Sequence, residues 1–255
     1  GCATALVTPF QPDGTLDEPA LRRLINLQMD AGMDALVLLG TTGEPCTLNM
    51  EERERIIRIG LETVHGTMPV IVGTGANDTR RAIEYARQAH ALGAQGQLCV
   101  TPYYNKATQD GLIRHFTAIA DSCPLPMILY HVPGRTGMTM TPATVSQLSL
   151  HPGIVGLKEA SGDAALAAQM IEQSGLPLYC GNDDLILPLM ALGAVGAISV
   201  VSNLLPAQTR AVTKACLSGC LDQARAAQYA LLPIIRALFY QVSPIPVKAA
   251  MAETG

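Results

Sequence analysis

The sequence predicts an α/β chain closed into a (β/α)8 barrel, the TIM-barrel architecture, and three observations carry that expectation. Short apolar runs alternate with amphipathic stretches from end to end. The runs rarely alternate polar with apolar residues, which is the pattern of strands buried on both faces of a parallel sheet. They number eight, enough to close a barrel. A doubly wound open sheet usually has fewer strands and a glycine-rich nucleotide turn after the first, and VTPFQPDG (7–14) is no such turn.

In order, the strand runs are CATALVT (2–8), DALVLLG (34–40), PVIVGTG (69–75), QLCVTP (97–102), PMILYHV (126–132), IVGLKEA (154–160), PLYCGN (177–182) and AVGAISV (194–200). Between them, Asp17 caps a helix that carries Leu21, Leu24, Ile25 and Met29 on one face and ends at Gly32. Asn49 with Glu52 forms a capping-box pattern ahead of Ile56, Ile57 and Val64. Thr141–Pro142 and Asp163 make similar starts, and Gly93, Gly175 and Gly193 stand where helix C-termini need a left-handed residue. Residues 221–240 and 244–253 read as further helices outside the barrel. The chain is thus expected to hold a catalytic barrel over 1–220 and the start of a C-terminal helical extension over 221–255. It opens on Gly1 and stops inside the helical pattern VKAAMAETG (247–255), so a truncated piece of a longer barrel protein is expected.

Composition excludes several classes. With 255 residues, 49% of them hydrophobic, the chain suits one large core. A net charge of −4 and the lack of a basic run give no field for nucleic acid or an anionic membrane. The longest uncharged stretch, Leu185–Thr209, is broken by Pro188, Gly193, Gly196 and Pro206, so no membrane span is expected. Seven scattered cysteines fit a reduced, cytoplasmic setting. Cys216 and Cys220 are spaced to share a helix face but have no partner pair, and the histidines lack ligand spacing, so no metal is expected.

Barrels of this kind work at the C-terminal ends of their strands, and the polar residues collect there. The strand ends read GTTGE (40–44), GTGAN (73–77), TPYYN (101–105), YHVPGRTG (130–137), KEAS (158–161) and GNDD (181–184). Lys158 ends an apolar run. Counted from Ile154, residues 154, 156 and 158 face one way, with Val155 and Leu157 toward the helices, and Gly156 leaves room below a lysine in the barrel mouth. By the same parity Tyr130 faces inward and His131 outward, as a packed, hydrogen-bonded histidine. A desolvated lysine sheds its proton more readily and becomes an amine nucleophile, whereas a solvated one merely snorkels.

Each companion has a plain reading: a glycine turn at GTTGE, a packing pair at Tyr103–Tyr104, a surface charge at Arg135. All of these would have to hold at once on one rim. Together the residues suit imine chemistry. A phenol and a hydroxyl relay protons, backbone N–H groups and hydroxyls of a tight turn hold a keto-acid carboxylate, and a guanidinium receives a second acid.

GTTGE, GTGAN, TPYYNK, the tyrosine-plus-VPGRTG segment, GLKEASGD, GNDD and SPIPVK, in this order over essentially the whole chain, resemble the dihydrodipicolinate synthase branch of the pyruvate-dependent class I aldolase family, which also contains N-acetylneuraminate lyase. The resemblance implies condensation of pyruvate with L-aspartate 4-semialdehyde to 4-hydroxy-tetrahydrodipicolinate, a step of lysine (diaminopimelate) biosynthesis, with no metal or organic cofactor. It implies that Lys158 forms the Schiff base and that Tyr130, Thr41 and Tyr104 relay protons, Tyr104 being offered to a neighbouring subunit. The same resemblance implies that Thr41 and Thr42 hold the pyruvate carboxylate, that Arg135 binds the semialdehyde carboxylate, that Gly181 and the Ile198 backbone line the pocket, and that Asn203 packs. A homo-oligomer follows, a dimer or a homotetrameric dimer of dimers.

The chain departs from the family pattern at His131 (usually asparagine), Ala107 (commonly proline) and Pro45–Cys46 (usually small residues). In lysine-inhibited members a cleft between subunits uses an asparagine, a tyrosine and His or Glu side chains. Asn77 and Tyr103 remain here, but Met50, Arg53 and Arg81 stand in the other places, and two guanidinium groups repel an ammonium. Weak or absent lysine inhibition is expected. The alternatives are another aldolase of the same family (N-acetylneuraminate lyase, a 2-keto-3-deoxy-sugar-acid aldolase or 4-hydroxy-2-oxoglutarate aldolase) and a non-catalytic keto-acid-binding barrel. A phosphate-binding barrel is disfavoured because VVSNLLPAQ (200–208) lacks a glycine-rich cradle.

Overall fold

Strands apolar on both faces must be covered on both, and the computed structural model, which describes residues 1–254, meets that need by closing the sheet. Eight parallel strands, β1 (Cys2–Ala5), β2 (Ala35–Leu38), β3 (Val70–Gly73), β4 (Gly96–Val100), β5 (Met127–His131), β6 (Ile154–Glu159), β7 (Leu178–Cys180) and β8 (Gly196–Ser199), pair in sequence order, and β8 returns to β1. The closing register sets Cys2, Ala3 and Thr4 opposite Ala197, Ile198 and Ser199. Asn203 seals this seam: its Oδ1 accepts from the Val7 N–H (3.0 Å), and its Nδ2 donates to the Ala5 and Val200 carbonyls (2.9 Å each).

The helices follow their caps. Asp17 accepts from the Ala20 N–H ahead of α1 (Glu18–Asp30). The reciprocal Asn49–Glu52 box starts α2 (Met50–Val64). α3 (Thr79–Leu92) ends on left-handed Gly93, α4 (Gln109–Ser122) follows β4, and β5 leads into α5 (Pro133–Thr136) and α6 (Pro142–Leu148). Thr141 caps α6, Asp163 caps α7 (Ala164–Ser174), and Gly175 ends α7. α8 (Ile186–Ala191), α9 (Pro206–Leu217), α10 (Leu221–Leu238) and α11 (Ile245–Thr254) complete the order. Of the expected 221–255 extension, Gly255 lies outside the described residues. Leu231, Ile235 and Leu238 of α10 and Val247 of α11 join the same apolar cluster as the helix-facing residues of β5 and β6, so these helices are packed onto the barrel.

Two local expectations are corrected. Met127 pairs with Ile154 but Ile128 pairs with Gly156, so Val155 is an extra residue at a bulge. Ile154 therefore joins Met127 and Leu157 in the helix-facing cluster instead of facing inward, and Val155 is 44% exposed. Beyond the bulge the alternation resumes, and Gly156 and Lys158 face the interior as expected: a Cβ on Gly156 would meet Ile128 and Tyr179, both interior residues. Cys216 and Cys220 share no helix face either, because α9 ends at Leu217, Gly219 turns the chain with φ 73°, and Cys220 precedes α10. All seven cysteines are free.

Candidate active site

The strand register builds the mouth. Tyr130 on β5 sits directly opposite Lys158 on β6, and the Lys158 Nζ lies 4.4 Å from the Tyr130 ring centroid. Lys158 is 4% exposed and forms no ion pair among the described residues. Its stem passes Gly181, at the end of β7. A Cβ there would stand 2.9 Å from Lys158 Cε and 2.8 Å from the Ala160 Cβ, so only glycine leaves the stem its path.

Lys158 opens into a cavity of about 730 Å³ whose walls include Thr41, Thr42, Tyr130, Arg135 and Gly181, a size suited to small-molecule ligands. A smaller adjoining cavity of about 300 Å³ shares Thr41, Tyr130 and Arg135. Thr41 and Thr42 belong to a single 3₁₀ turn, Thr41–Gly43, which follows the extended Gly40 and ends at left-handed Glu44. The Gly43 carbonyl accepts from the Thr8 hydroxyl (2.7 Å), which anchors the turn to the loop after β1. Arg135, exposed on the short α5, donates to the Ser243 carbonyl (2.9 Å).

His131 behaves as the outward parity requires. It is fully buried, with Nδ1 3.1 Å from Glu159 Oε1, and Glu159 also accepts from the Ser161 N–H (2.7 Å). Tyr104 stands apart from Lys158, 88% exposed, with a positive φ of 72°; Tyr103, not Tyr104, lines the smaller cavity. The Ile198 side chain is buried in the barrel-interior cluster with Tyr130.

Sequence reasoning missed three parts of the site. The helices after 220 are not merely outside the barrel: Leu232, Ile235, Arg236, Phe239 and Val242 wall the Lys158 cavity. Asp183, also in the wall, is buried. Its Oδ2 accepts from the Val200 and Val201 N–H groups (3.0 Å each), and burial pushes its pKa up. Gln228 of α10 donates to the Asp183 carbonyl (2.9 Å), joining the extension to the β7 end. Third, Glu44 pairs with Lys248 across the mouth. The strings GNDD and SPIPVK were the available signals, but neither says what the side chains touch.

Fold and site together define a barrel of the lysine-based, imine-forming aldolase class. The model of the dihydrodipicolinate synthetase family matches residues 1–255. The chain is 50% identical to the 4-hydroxy-tetrahydrodipicolinate synthase of an Exiguobacterium species, over 100% of this chain and 88% of that protein. It is 46% identical to the enzyme of Pelobacter propionicus with the same coverage. The solved dihydrodipicolinate synthase of Thermotoga maritima superposes with a TM-score of 0.98 at 41% identity, covering 100% of this chain and 88% of that one. That of Acinetobacter baumannii, solved with pyruvate, gives 0.97 at 40% identity, covering 99% and 88%. The chain belongs to the dihydrodipicolinate synthetase family.

Proposed function

We propose that this chain condenses pyruvate with L-aspartate 4-semialdehyde to 4-hydroxy-tetrahydrodipicolinate through a Schiff base on Lys158. The observation that carries the reading is a buried lysine amine facing the Tyr130 ring at the edge of a cavity that also holds Thr41, Thr42 and Arg135. The relatives' shared name, 4-hydroxy-tetrahydrodipicolinate synthase, and the pyruvate bound to the Acinetobacter baumannii protein support it.

The neutral Lys158 amine attacks the keto carbon of pyruvate, and loss of water leaves an imine. The imine draws electrons from the adjacent methyl group, which loses a proton and becomes an enamine carbon. That carbon attacks the aldehyde of the second substrate, and the substrate's own amine then displaces lysine and closes the ring. Every step moves a proton, and Tyr130 and Thr41 supply hydroxyls beside the reacting atoms. Thr41 and Thr42, with the N–H groups of their turn, hold the pyruvate carboxylate, and Arg135 receives the carboxylate of the semialdehyde. Gly181 gives the lysine stem its clearance, and the Ile198 backbone borders the bound keto acid.

Tyr104 completes the relay in a second copy of the chain; its 88% exposure and positive φ support a side chain offered outward. A homodimer or dimer of dimers follows. The barrel over 1–220 carries the chemistry, while the extension from 221 roofs it, and the reaction takes place in the cytoplasm without a cofactor. No helix among the described residues is long and apolar enough to cross a membrane.

Borohydride reduction in the presence of pyruvate is expected to leave a mass adduct on the peptide bearing Lys158. Turnover is expected with aspartate semialdehyde and not with N-acetylmannosamine. An unmodified Lys158 peptide would overturn the reading, and preference for the sugar would reassign the substrate.

A further inference from the structure

One side chain reaches the mouth from the far end of the chain. Lys248 of α11 places Nζ 2.6 Å from Glu44 Oε1 across 204 residues of sequence and 4.6 Å from the Phe10 ring centroid. Both partners are only 29% exposed, so the pair is screened less than a surface pair. Glu44 ends the Thr41–Gly43 turn at φ 54° and ψ 44°. That conformation favours glycine or asparagine over a longer side chain. A glycine would relieve the backbone but would bring no carboxylate to Lys248. The same C-terminal segment is also tied to α5, through the Arg135–Ser243 hydrogen bond.

We propose that Glu44 and Lys248 are positioning residues whose ion pair straps the Thr41–Thr42 turn in the orientation that the substrate carboxylate requires. This rests on the reading of Lys158 and the threonine turn given above. With the strap cut, left-handed Glu44 is free to relax, and the turn loses the restraint on its C-terminal end. The Thr41 and Thr42 hydroxyls and N–H groups then no longer converge on one point. Lys158 is carried by β6 and held by Gly181 and Tyr130, so its reactivity is untouched.

The test measures steady-state kinetics and borohydride trapping of pyruvate for the wild type, Lys248→Met, Lys248→Arg, Glu44→Gln and the exchange Glu44→Lys with Lys248→Glu. In Lys248→Met the pyruvate KM is expected to rise about tenfold with kcat within about threefold, and trapping on Lys158 to be normal at saturating pyruvate. Lys248→Arg is expected to restore most of the lost affinity, which loss of mere packing would not predict. Glu44→Gln, which keeps the side-chain shape, is expected to match Lys248→Met and serves in its place if that variant does not fold. The exchange is expected to lose less than the two single changes combined. An unchanged pyruvate KM in both Lys248→Met and Glu44→Gln, or an equal loss in Lys248→Arg, would overturn the strap. If the wild type itself fails to trap pyruvate on Lys158, the active-site reading fails and the strap with it; normal wild-type trapping with unchanged variants removes the strap alone.

Discussion

Two pockets of this molecule each bury a basic side chain, and the two are set to different tasks. At the barrel mouth, Lys158 faces a cavity of about 730 Å³ with an aromatic ring as its close neighbour and, among the described residues, no carboxylate paired to it. In a cleft of about 270 Å³ outside the barrel, lined also by Asn77, Arg81 and Tyr103, Arg53 is 2% exposed. Its guanidinium stacks 3.8 Å from the Tyr85 ring centroid and donates to the Gly73 carbonyl at 2.7 Å. Burial lowers the Arg53 pKa, while Tyr85, Cys46 and Tyr103 act the other way. Burial also pushes the neighbouring Tyr103 phenol up to about 12. An ammonium sheds a proton to become a nucleophile; a guanidinium stays charged and serves as a fixed brace. Burying a basic side chain therefore does not by itself make a reactive group. The residue type and an open side toward a cavity do.

The sharpest way to break this comparison is to put the brace residue in the reactive place. Lys158→Arg keeps a buried basic side chain, yet it is expected to abolish the pyruvate adduct and cut turnover more than about a thousandfold; any adduct retained in mass spectra would end the distinction. Tyr130→Phe keeps the ring beside the amine and removes the hydroxyl. Turnover should fall by about a hundredfold, while slow trapping of pyruvate persists. Gly181→Ala puts a methyl 2.9 Å from Lys158 Cε. It should lower kcat by about tenfold and lower the melting temperature as well, since the same methyl would stand 2.8 Å from the Ala160 Cβ and 3.0 Å from the Glu159 carbonyl, so the end of β6 must give along with the lysine stem.

The cleft offers milder tests. With Arg53 and Arg81 in this cleft, activity here is expected to persist at sub-millimolar lysine, and inhibition in that range would show that the guanidinium groups leave room for an ammonium. The smallest effect concerns stability. His115, on α4, is 5% exposed and hydrogen-bonded to Thr79, and burial pushes its imidazole from 6.5 down to about 4. The unfolded chain takes up this proton near 6.5 and the folded chain only near 4. The contribution is thus complete above pH 6.5 and is lost as pH falls toward 4, by at most about 3 kcal/mol. Urea midpoints across that range should flatten in His115→Gln; an unchanged slope would remove His115 as the source.

The eight strands and the caps at Asp17, Asn49, Thr141 and Asp163 were legible because each depends on neighbours within a few residues. Tyr130 and Lys158 were legible because strand alternation persists up to the strand ends. Val155 was not, since the extra residue shows only when β6 is laid against β5. The break between Cys216 and Cys220 was carried by Ser218–Gly219, a weak signal inside a helix-like run. The C-terminal wall of the cavity showed in the sequence only as helical periodicity over 221–240, which does not say what the helix covers.

Alone, the order of residues determined the barrel, the rim that bears the polar groups and the amine that faces into it. These follow from periodicity, turn chemistry and the side on which alternate residues fall. Only the tertiary structure decided which partners meet: Glu44 with Lys248, Arg135 with the Ser243 carbonyl, Asp183 with the β8 end. Such contacts form between segments whose separation in sequence says nothing of their distance, which the packing of helices onto the closed sheet sets.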